Sequence, residues 1–485
     1  MECVIHPGKV YFWTVFVRRI IFACLGLLLL AYGLNGCKDD MTFTTSGDML
    51  NIKADTIVFD TVFTSPRPGV PFSVNKQFVV LNPYKEAIRS NIRIAGGAQS
   101  VFRMNIDGAS GREFENVEIL PEDSVFIFLE LTIDPNNDPQ SLPLIVRDSI
   151  LFETNGGRQQ VQLVAWGQDA HYFFKDTLCD AILDDAQKPY VVFDYLYVPE
   201  NCKLTIEKGV KIHFAPGSWL FTEGTLEVNG TAEDPVYFEG DRLQPDFEEV
   251  VGQWGGLYFL YPTKQNRITH ARIKNGTVGI YCDSISSDGD PTVEMYNTEI
   301  RNMAFDGLSG RMANMRAENS VFANCARYSF LGLYGGEYAL RHCTFVTYNY
   351  DFARRDPTFI LNNIERDQIG NVLETYDMAA LVQNCIIEGA LDNELALDLD
   401  ASKVLGLSME NNLIRTELED LDVAPLNNVI NEDPRLTGYQ SQNYELDSLS
   451  AAKDIGKLLN PPIGNDFSGS SRDNPPDAGA FESKY

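Results

Sequence analysis

The chain has 485 residues, with 39 Lys and Arg against 68 Asp and Glu, which gives a formal net charge of −29. Such an acidic surface repels nucleic acid and anionic lipid headgroups, so a nucleic-acid-binding function is excluded. The length exceeds that of one compact core, and the 44% content of hydrophobic residues is enough to build two or three domains.

The first 36 residues have the layout of a secretory signal peptide. Arg18 and Arg19 precede an apolar run, Ile20–Leu30, and small residues follow before Cys37. A transmembrane helix is the alternative, because Val10–Val17 is apolar as well. Two arginines at the midpoint of such a span would each cost a few kcal/mol. The sequence therefore favours a signal peptide over residues 1–36.

The residues that end this segment, Leu34-Asn35-Gly36-Cys37, resemble the lipobox of bacterial lipoproteins. The resemblance implies cleavage after Gly36, lipidation of Cys37 and anchoring in a membrane through acyl chains, with residues 37–50 as a tether. The next three residues are similar to the export signal of Bacteroidota surface lipoproteins, which implies an outer-membrane, cell-surface location: Lys38, Asp39 and Asp40. An ordinary solvated tether with a periplasmic orientation is the alternative.

Residues 51–168 read as short β-strands separated by turn signals. The hairpin dipeptides Asp107-Gly108 and Asn155-Gly156 punctuate the apolar or alternating runs. Many short strands joined by such turns are typical of an antiparallel sandwich, so an immunoglobulin-like domain is expected here, as a spacer or docking module. The runs are Thr56–Phe63, Val74–Leu81, Ser124–Ile133, Asp148–Phe152 and Gln160–Trp166.

Six cysteines lie beyond Cys37, and none of them forms a CxxC motif. Their spacing does not fit a zinc site, and an envelope location permits disulfides without requiring them. Most are expected to be small buried residues. They are Cys179, Cys202, Cys282, Cys325, Cys343 and Cys385.

The second half of the chain carries an internal repeat of the form [Asn/His]-small-x-[Ile/Phe]-x-[Asn/Thr/Gly]. Successive copies start 27, 22, 23, 42 and 27 residues apart, and the interval of 42 is either two turns of a coil or one turn with an insertion. A period in the low twenties marks a solenoid. The copies are His270–Asn275, Asn297–Asn302, Asn319–Asn324, His342–Thr347, Asn384–Gly389 and Asn411–Thr416.

This pattern predicts a parallel β-helix, in which equivalent positions of successive coils stack about 4.8 Å apart. One apolar ladder is expected inside the coil, formed by Ile273, Ile300, Phe322, Phe345, Ile387 and Ile414. Asn275, Asn302 and Asn324 are expected to line one bend. The short strands and Gly turns of Leu204–Phe238, followed by Trp254–Phe259, resemble the first coils of right-handed parallel β-helix proteins of the pectate-lyase-like superfamily.

The end of the chain extends this resemblance. Ser450–Gly456, Asp466–Arg472 and Pro476–Glu482 are similar to the SxxxDxG, DxxGxxR and PDxGAxE endings of secreted β-helix proteins. We assign residues 169–435 to the β-helix and 436–485 to a C-terminal cap, because a solenoid must cover its last coil. The expected class is therefore all-β: an N-terminal immunoglobulin-like β-sandwich, then a right-handed parallel β-helix with a C-terminal cap. Within the cap, four residues are candidates for structural ion pairs: Asp466, Arg472, Asp477 and Glu482.

No recognisable catalytic or metal-binding motif occurs, so no catalytic residue and no cofactor is assigned. His270 and His342 share a repeat position with asparagine, which makes them turn residues rather than catalysts. Three acidic clusters are treated as solvated faces, although a lyase on this scaffold would hold Ca²⁺ with carboxylates. The clusters are Asp283, Asp288 and Asp290, then Asp398 and Asp400, then Glu417, Glu419, Asp420 and Asp422.

An aromatic and arginine-rich stretch, Tyr328–Asp356, is the candidate ligand surface, since aromatic rings stack on sugars and arginines grip carboxylates. The residues singled out are Tyr348, Tyr350, Arg354, Arg355 and Asp356. The alternative is that half of the aromatic residues in this stretch fill the coil interior. Two functions follow: a surface lipoprotein that binds glycan or protein without catalysis, or a polysaccharide lyase or glycoside hydrolase that acts on acidic polysaccharide.

Overall fold

The computed structural model describes residues 41–45, 47–64, 74–133, 144–263, 265–283, 290–348, 354–419 and 426–484. The signal peptide, Cys37, the export signal Lys38–Asp40 and Tyr350 of the candidate ligand surface lie outside the described residues. Of the described residues, 41–55, 77–129 and 149–162 form one compact unit, and the others form a second one.

The N-terminal part contains ten strands in two five-stranded sheets, ordered β1-β3-β8-β5-β6 and β2-β10-β9-β4-β7. The pairs β1–β3, β4–β7, β4–β9 and β5–β6 are antiparallel. The strands are β1 Asn51–Ile52, β2 Thr56–Phe63, β3 Val74–Leu81, β4 Ile88–Ile94, β5 Phe102–Ile106, β6 Ala109–Gly111, β7 Glu113–Ile119, β8 Ser124–Leu131, β9 Leu144–Thr154 and β10 Gly157–Gln168.

Turn chemistry and alternation produce these strands as expected. Asp107 and Gly108 have φ of 51° and 82°, and Asn155 and Gly156 have φ of 49° and 81°, which is the type I′ geometry of tight hairpins. In β8 every second side chain from Val125 to Leu131 is buried. Each strand predicted from the sequence is present, and β1, β4, β5, β6 and β7 are additional.

The second part is a single sheet of 25 strands that wraps into a coil. Its strands are β11 His171–Thr177, β12 Ala181–Leu183, β13 Tyr190–Val198, β14 Lys203–Glu207, β15 Lys211–Phe214, β16 Trp219–Thr222, β17 Thr225–Asn229, β18 Val236–Gly240, β19 Gly256–Leu260, β20 Asn266–Thr269, β21 Ala271–Lys274, β22 Ile280–Asp283, β23 Val293–Tyr296, β24 Glu299–Arg301, β25 Leu308–Glu318, β26 Val321–Ala323, β27 Phe330–Arg341, β28 Thr344–Thr347, β29 Phe359–Asn362, β32 Met378–Gln383, β33 Ile386–Gly389, β34 Leu395–Asp398, β35 Val404–Glu410, β36 Leu413–Ile414 and β37 Val429–Ile430.

Two further hairpins and four short 3₁₀ helices complete the described chain. The first hairpin pairs β30 Ile364–Arg366 with β31 Val372–Thr375, and the second pairs β38 Leu436–Gly438 with β39 Asn443–Leu446; both are antiparallel. The 3₁₀ helices are Gly97–Gln99, Pro245–Phe247, Ala401–Lys403 and Tyr439–Ser441.

Strand pairing in the coil defines three faces, and every pair between successive coils is parallel. The all-β class with antiparallel sheets followed by a parallel β-helix is therefore confirmed. Face 1 contains the start of β13 and then β15, β18, β21, β24, β26, β28, β33, β36 and β37. Face 2 contains the end of β13, β16, β19, β22, the starts of β25 and β27, β29 and β34. Face 3 contains β12, β14, β17, β20, β23, the ends of β25 and β27, β32 and β35.

The apolar ladder predicted from the repeat runs up the inside of face 1. Ile273 pairs with Ile300, and Phe345 pairs with both Phe322 and Ile387. All six side chains of the ladder are fully buried. The direct pairing of Phe345 with Ile387 shows that the 42-residue interval is one coil with an insertion, and the hairpin β30–β31 lies inside that insertion.

The C-terminal segment, residues 436–484, packs along the outer side of face 1. Tyr444, Leu446, Ala452, Ala478 and Ala480 are buried there against outward residues of the later coils. The sequence suggested a cover over the last coil, whereas these contacts run along the side of the coil, because the outward positions of face 1 are apolar in this region: Val321, Ala323, Val346, Ile386 and Leu413.

The ion pair predicted in this segment is present between Arg472 and Glu482, at 3.0 Å and with both side chains buried. Asp466 and Asp477 accept hydrogen bonds from backbone N–H groups instead. Asp466 accepts from Ser470 and Glu482, each at 2.8 Å. Asp477 accepts from Asp454 and Ser483, each at 2.7 Å. The four residues thus tie the turns of the segment to one another.

The cysteines divide into two groups. Cys179 and Cys202 form a disulfide that joins the turns after β11 and β13, a pairing that the sequence left open. The other four described cysteines are free and buried, as expected: Cys282, Cys325, Cys343 and Cys385.

Candidate functional site

Those members of the acidic clusters that the structure describes do not converge into a site. Asp283 pairs with Arg311 at 3.2 Å, and Asp398 pairs with Arg366 at 2.9 Å. Asp400 accepts from the backbone of Ser402, and Asp290 accepts from the amide of Gln265 at 2.8 Å. Glu417 and Glu419 are exposed, while Asp288, Asp420 and Asp422 lie outside the described residues. In the part of the chain that the structure describes, no group of three or more His, Cys, Asp or Glu side chains could hold a metal ion.

The candidate ligand surface around Tyr348 is mostly covered. Arg354 is 5% exposed and forms an ion pair with Glu394, which is fully buried. Tyr348 packs against Tyr439 of the C-terminal segment, with ring centroids 4.6 Å apart and ring planes tilted by 40°. Arg355 is exposed and Asp356 is half-buried. In the same stretch Phe330 and Tyr338 fill the coil interior, as the alternative reading expected.

Two buried glutamates lie next to this region. Glu394 accepts from the backbone N–H of Thr358 and of Leu391, each at 2.8 Å, and so fixes the turn between faces 1 and 2. Glu388 pairs with Arg415, but its Oε2 has no hydrogen-bond partner among the described residues. Burial raises the pKa of both glutamates above the ordinary value. Both side chains are fully buried, so a polymer cannot reach them in this conformation.

The outer side of face 2 carries a row of aromatic side chains, which we call the aromatic ladder: Tyr197, Phe221, Tyr258 and Tyr281. Register places these residues at the same position of four successive coils. The ring centroids of Phe221 and Tyr258 lie 5.9 Å apart, and those of Tyr258 and Tyr281 lie 4.9 Å apart. Each side chain of the ladder is partly exposed.

Two more rings widen the ladder at its first coils. Tyr195 pairs in register with Trp219, and both point outward beside Tyr197 and Phe221. Trp219 stacks on Phe221, with centroids 5.9 Å apart and planes 19° apart. A Cβ atom at position 255 of the next coil would overlap the indole of Trp219, so Gly255 is what allows this indole to lie against the backbone. The result is a partly exposed aromatic surface that is two rings wide at its first two coils.

Carboxylates accept hydrogen bonds from two phenols of the ladder, those of Tyr197 and Tyr258. The hydroxyl of Tyr197 donates to Glu223 Oε2 at 2.6 Å, and the hydroxyl of Tyr258 donates to Asp283 Oδ2 at 3.3 Å. The hydrogen bond to Glu223 raises the pKa of Tyr197, and burial together with Asp283 raises the pKa of Tyr258 to about 12. The phenols therefore stay protonated and neutral at physiological pH.

The sequence analysis missed this surface. The signal that could have revealed it is the alternation of aromatic residues within short strands, as in Tyr195-Leu196-Tyr197 and Trp219-Leu220-Phe221. Alternate residues of a strand point to opposite sides, so the leucines enter the coil and the rings face outward.

No family model matches the sequence, and no curated protein matches it. Among solved structures, the catalytic unit of the GH87 α-1,3-glucanase from Streptomyces thermodiastaticus is 10% identical, with 70% of this chain and 73% of that chain covered, at a TM-score of 0.23. A family 123 glycoside hydrolase from Clostridium perfringens is 8% identical at a TM-score of 0.18, and the match covers 26% of each chain. The chain thus spans about a quarter of the length of that enzyme. A PapD-like domain of human CEP192 is 9% identical, with 28% of this chain and 97% of that domain covered, at a TM-score of 0.18.

Among the described residues, no helix is both long and apolar enough to span a membrane.

Proposed function

We propose that this protein is a lipid-anchored surface protein whose β-helix binds carbohydrate along face 2 without cleaving it. The observation that carries the proposal is the aromatic ladder, four outward rings at one register position, widened by Tyr195 and Trp219. Aromatic faces stack on the C–H faces of sugar rings, and a large exposed aromatic surface on a soluble protein marks a binding site. One ring per coil suits a chain ligand that runs parallel to the coil axis.

The anchoring part of the proposal rests on the sequence around Cys37, which lies outside the described residues. Together the two parts describe a rigid platform held at a membrane, with the N-terminal sheets between the lipid anchor and the binding face in sequence.

The test is retention of the soluble form, residues 38–485, on gels that contain a panel of polysaccharides. The double variant Phe221→Ala/Tyr258→Ala should weaken binding about 10- to 100-fold, since each lost ring contact is worth roughly 1 kcal/mol. The melting temperature of the double variant should stay close to that of the wild type, because both side chains lie outside the coil.

Tyr296→Ala is the matched control. Tyr296 is a partly exposed aromatic residue on face 3, where it contacts Arg267. The Tyr296→Ala variant should bind the retained polysaccharide as strongly as the wild type does. Equal retention of wild type and double variant would contradict the proposal.

A lyase or hydrolase is the second candidate function, and Glu388 is the observation that favours it. Because this side chain is fully buried, such a function requires a conformational change that exposes it to the polymer. A buried carboxylate with a raised pKa and a free oxygen is typical of a general acid. The same incubations decide between the two functions: new reducing or unsaturated ends that disappear in Glu388→Gln would make the protein an enzyme.

A further inference from the structure

The charged groups around the aromatic ladder are mainly acidic. Those that act on its phenols are four carboxylates and one guanidinium: Glu200, Glu223, Asp283, Asp306 and Arg311. Arg311 is already paired with Asp283 at 3.2 Å, and Asp306 is held by Arg327 at 2.6 Å. Glu200 and Glu223 are left without a cation in these interactions. A ligand on this surface therefore meets a negative potential, in a chain of net charge −29.

The aromatic surface continues beyond Tyr281. Asp283 pairs in register with Arg311, and Arg311 pairs with Leu333 in the next coil. The guanidinium of Arg311 lies 5.6 Å from the ring centroid of Tyr334, and Tyr334 lies 5.9 Å from Tyr376.

Tyr334 has a φ of 57°, a left-handed conformation that is rare for a bulky side chain. Such strain is retained where the rest of the structure enforces it, commonly at functional sites. Tyr376 follows the inserted hairpin β30–β31 and donates a 2.5 Å hydrogen bond to Glu365 of that hairpin. The insertion in the 42-residue coil thus supplies one of the two rings of this pair.

From the coil of Tyr197 to the coil of Tyr334 there are five steps, or about 24 Å at the usual strand spacing. We infer that the aromatic ladder and the Tyr334–Tyr376 pair together bind one extended, uncharged polysaccharide chain and reject glycans that carry carboxylate or sulfate groups. This inference rests on the proposed function and names its ligand class.

The test compares neutral polysaccharides with uronate-rich and sulfated ones at low and high salt. The wild type should retain a neutral polymer with little dependence on salt, and should not retain an acidic one at low salt. Glu200→Gln should leave neutral binding unchanged and raise retention of acidic polymers, because it removes an exposed carboxylate that acts on Tyr197 only through its charge. Glu227→Gln is the matched control, because it removes one carboxylate from face 3, where Glu227 pairs with Lys203. It should change neither the retention of neutral polymers nor that of acidic polymers.

Chain length is tested with oligosaccharides of the neutral polymer that is retained. Tyr376→Ala should lower affinity about three- to tenfold for long chains and leave the shortest binding oligosaccharides unaffected, since only long chains reach both ends of the surface. Equal losses at all lengths would overturn the extended site.

Salt-sensitive retention of acidic glycans by the wild type would overturn the inferred ligand class while leaving carbohydrate binding in place. Retention of no glycan at all would overturn the proposed function itself.

Discussion

The six residues that begin each repeat are all in the left-handed region, with φ between 48° and 56°. Asn and His adopt this conformation more readily than most side chains, which explains why the repeat uses them. For His270 and His342 the role as turn residues was predicted from the shared repeat position, and their φ values of 48° and 49° confirm it. The six residues are His270, Asn297, Asn319, His342, Asn384 and Asn411.

His342 makes one of these turns sensitive to acid. Burial lowers its pKa to about 2, with a further contribution from Arg472, so the folded protein keeps this imidazole neutral. Below about pH 6.5 the unfolded chain takes up a proton that the folded chain does not, and stability falls by about 1.4 kcal/mol per pH unit.

His342→Asn should remove this loss, because asparagine fills the same position in four of the six repeats. Between pH 7.5 and 5.0 the unfolding free energy of the variant should decrease by about 2 kcal/mol less than that of the wild type. Urea unfolding at both pH values measures this difference. The buried carboxylates Asp477 and Glu482 titrate in both proteins, so their contributions to the pH dependence of the unfolding free energy cancel in the difference. Parallel pH dependences would show that His342 does not carry the effect.

At the scale of elements, the turn asparagines also hold the C-terminal segment. Asn384 donates to the carbonyl of Lys457 at 2.8 Å and accepts from its N–H at 2.9 Å. Asn411 donates to the carbonyl of Ile455, and Asn319 to that of Asn465. A row of side chains that relieves backbone strain in the coil thus also pairs the backbone of a segment that has little regular structure of its own.

Asn384→Ala should therefore loosen the segment. Asn297→Ala is the control, because it places alanine at the same left-handed turn, but the side chain of Asn297 lies against His270 and not against the segment. Both variants lose backbone stability, and Asn384→Ala should lose about 1–2 kcal/mol more, the net value of two hydrogen bonds. Urea unfolding gives the difference, and limited proteolysis should cleave the segment faster only in Asn384→Ala. Identical behaviour of the two variants would argue against the tether.

The buried side chains inside the coil could be predicted from the sequence better than the functional side chains on its outer surface. Ile300 and its ladder partners were predictable because burial selects one kind of side chain at a fixed place in every repeat. The aromatic ladder was not, since its members are 24, 37 and 23 residues apart and the longest gap contains an insertion with the 3₁₀ helix Pro245–Phe247. Arg354 was a surface candidate because Glu394, its partner, lies 40 residues away. Pairing between residues so far apart in sequence cannot be predicted unless the register of the strands is known.

At the scale of the whole molecule, the proposed lipid anchor determines the cellular location of the protein. Cys37→Ala should move the protein from the membrane fraction to the soluble fraction, because the acyl chains are lost. Replacing Lys38, Asp39 and Asp40 by alanine should leave the protein in the membrane but protect it from protease added to intact cells. Fractionation followed by blotting measures both. Membrane retention of Cys37→Ala would contradict lipidation.

The coil also makes the proposed binding face modular. Each rung of the aromatic ladder is contributed by one coil, and each coil closes its own hydrogen bonds with the coils below and above. Duplicating or deleting a single coil in the gene would lengthen or shorten the surface by one step of about 4.8 Å without rebuilding the others. The reach of such a protein along its ligand can therefore evolve in whole-number increments, independently of how each ring makes its contact.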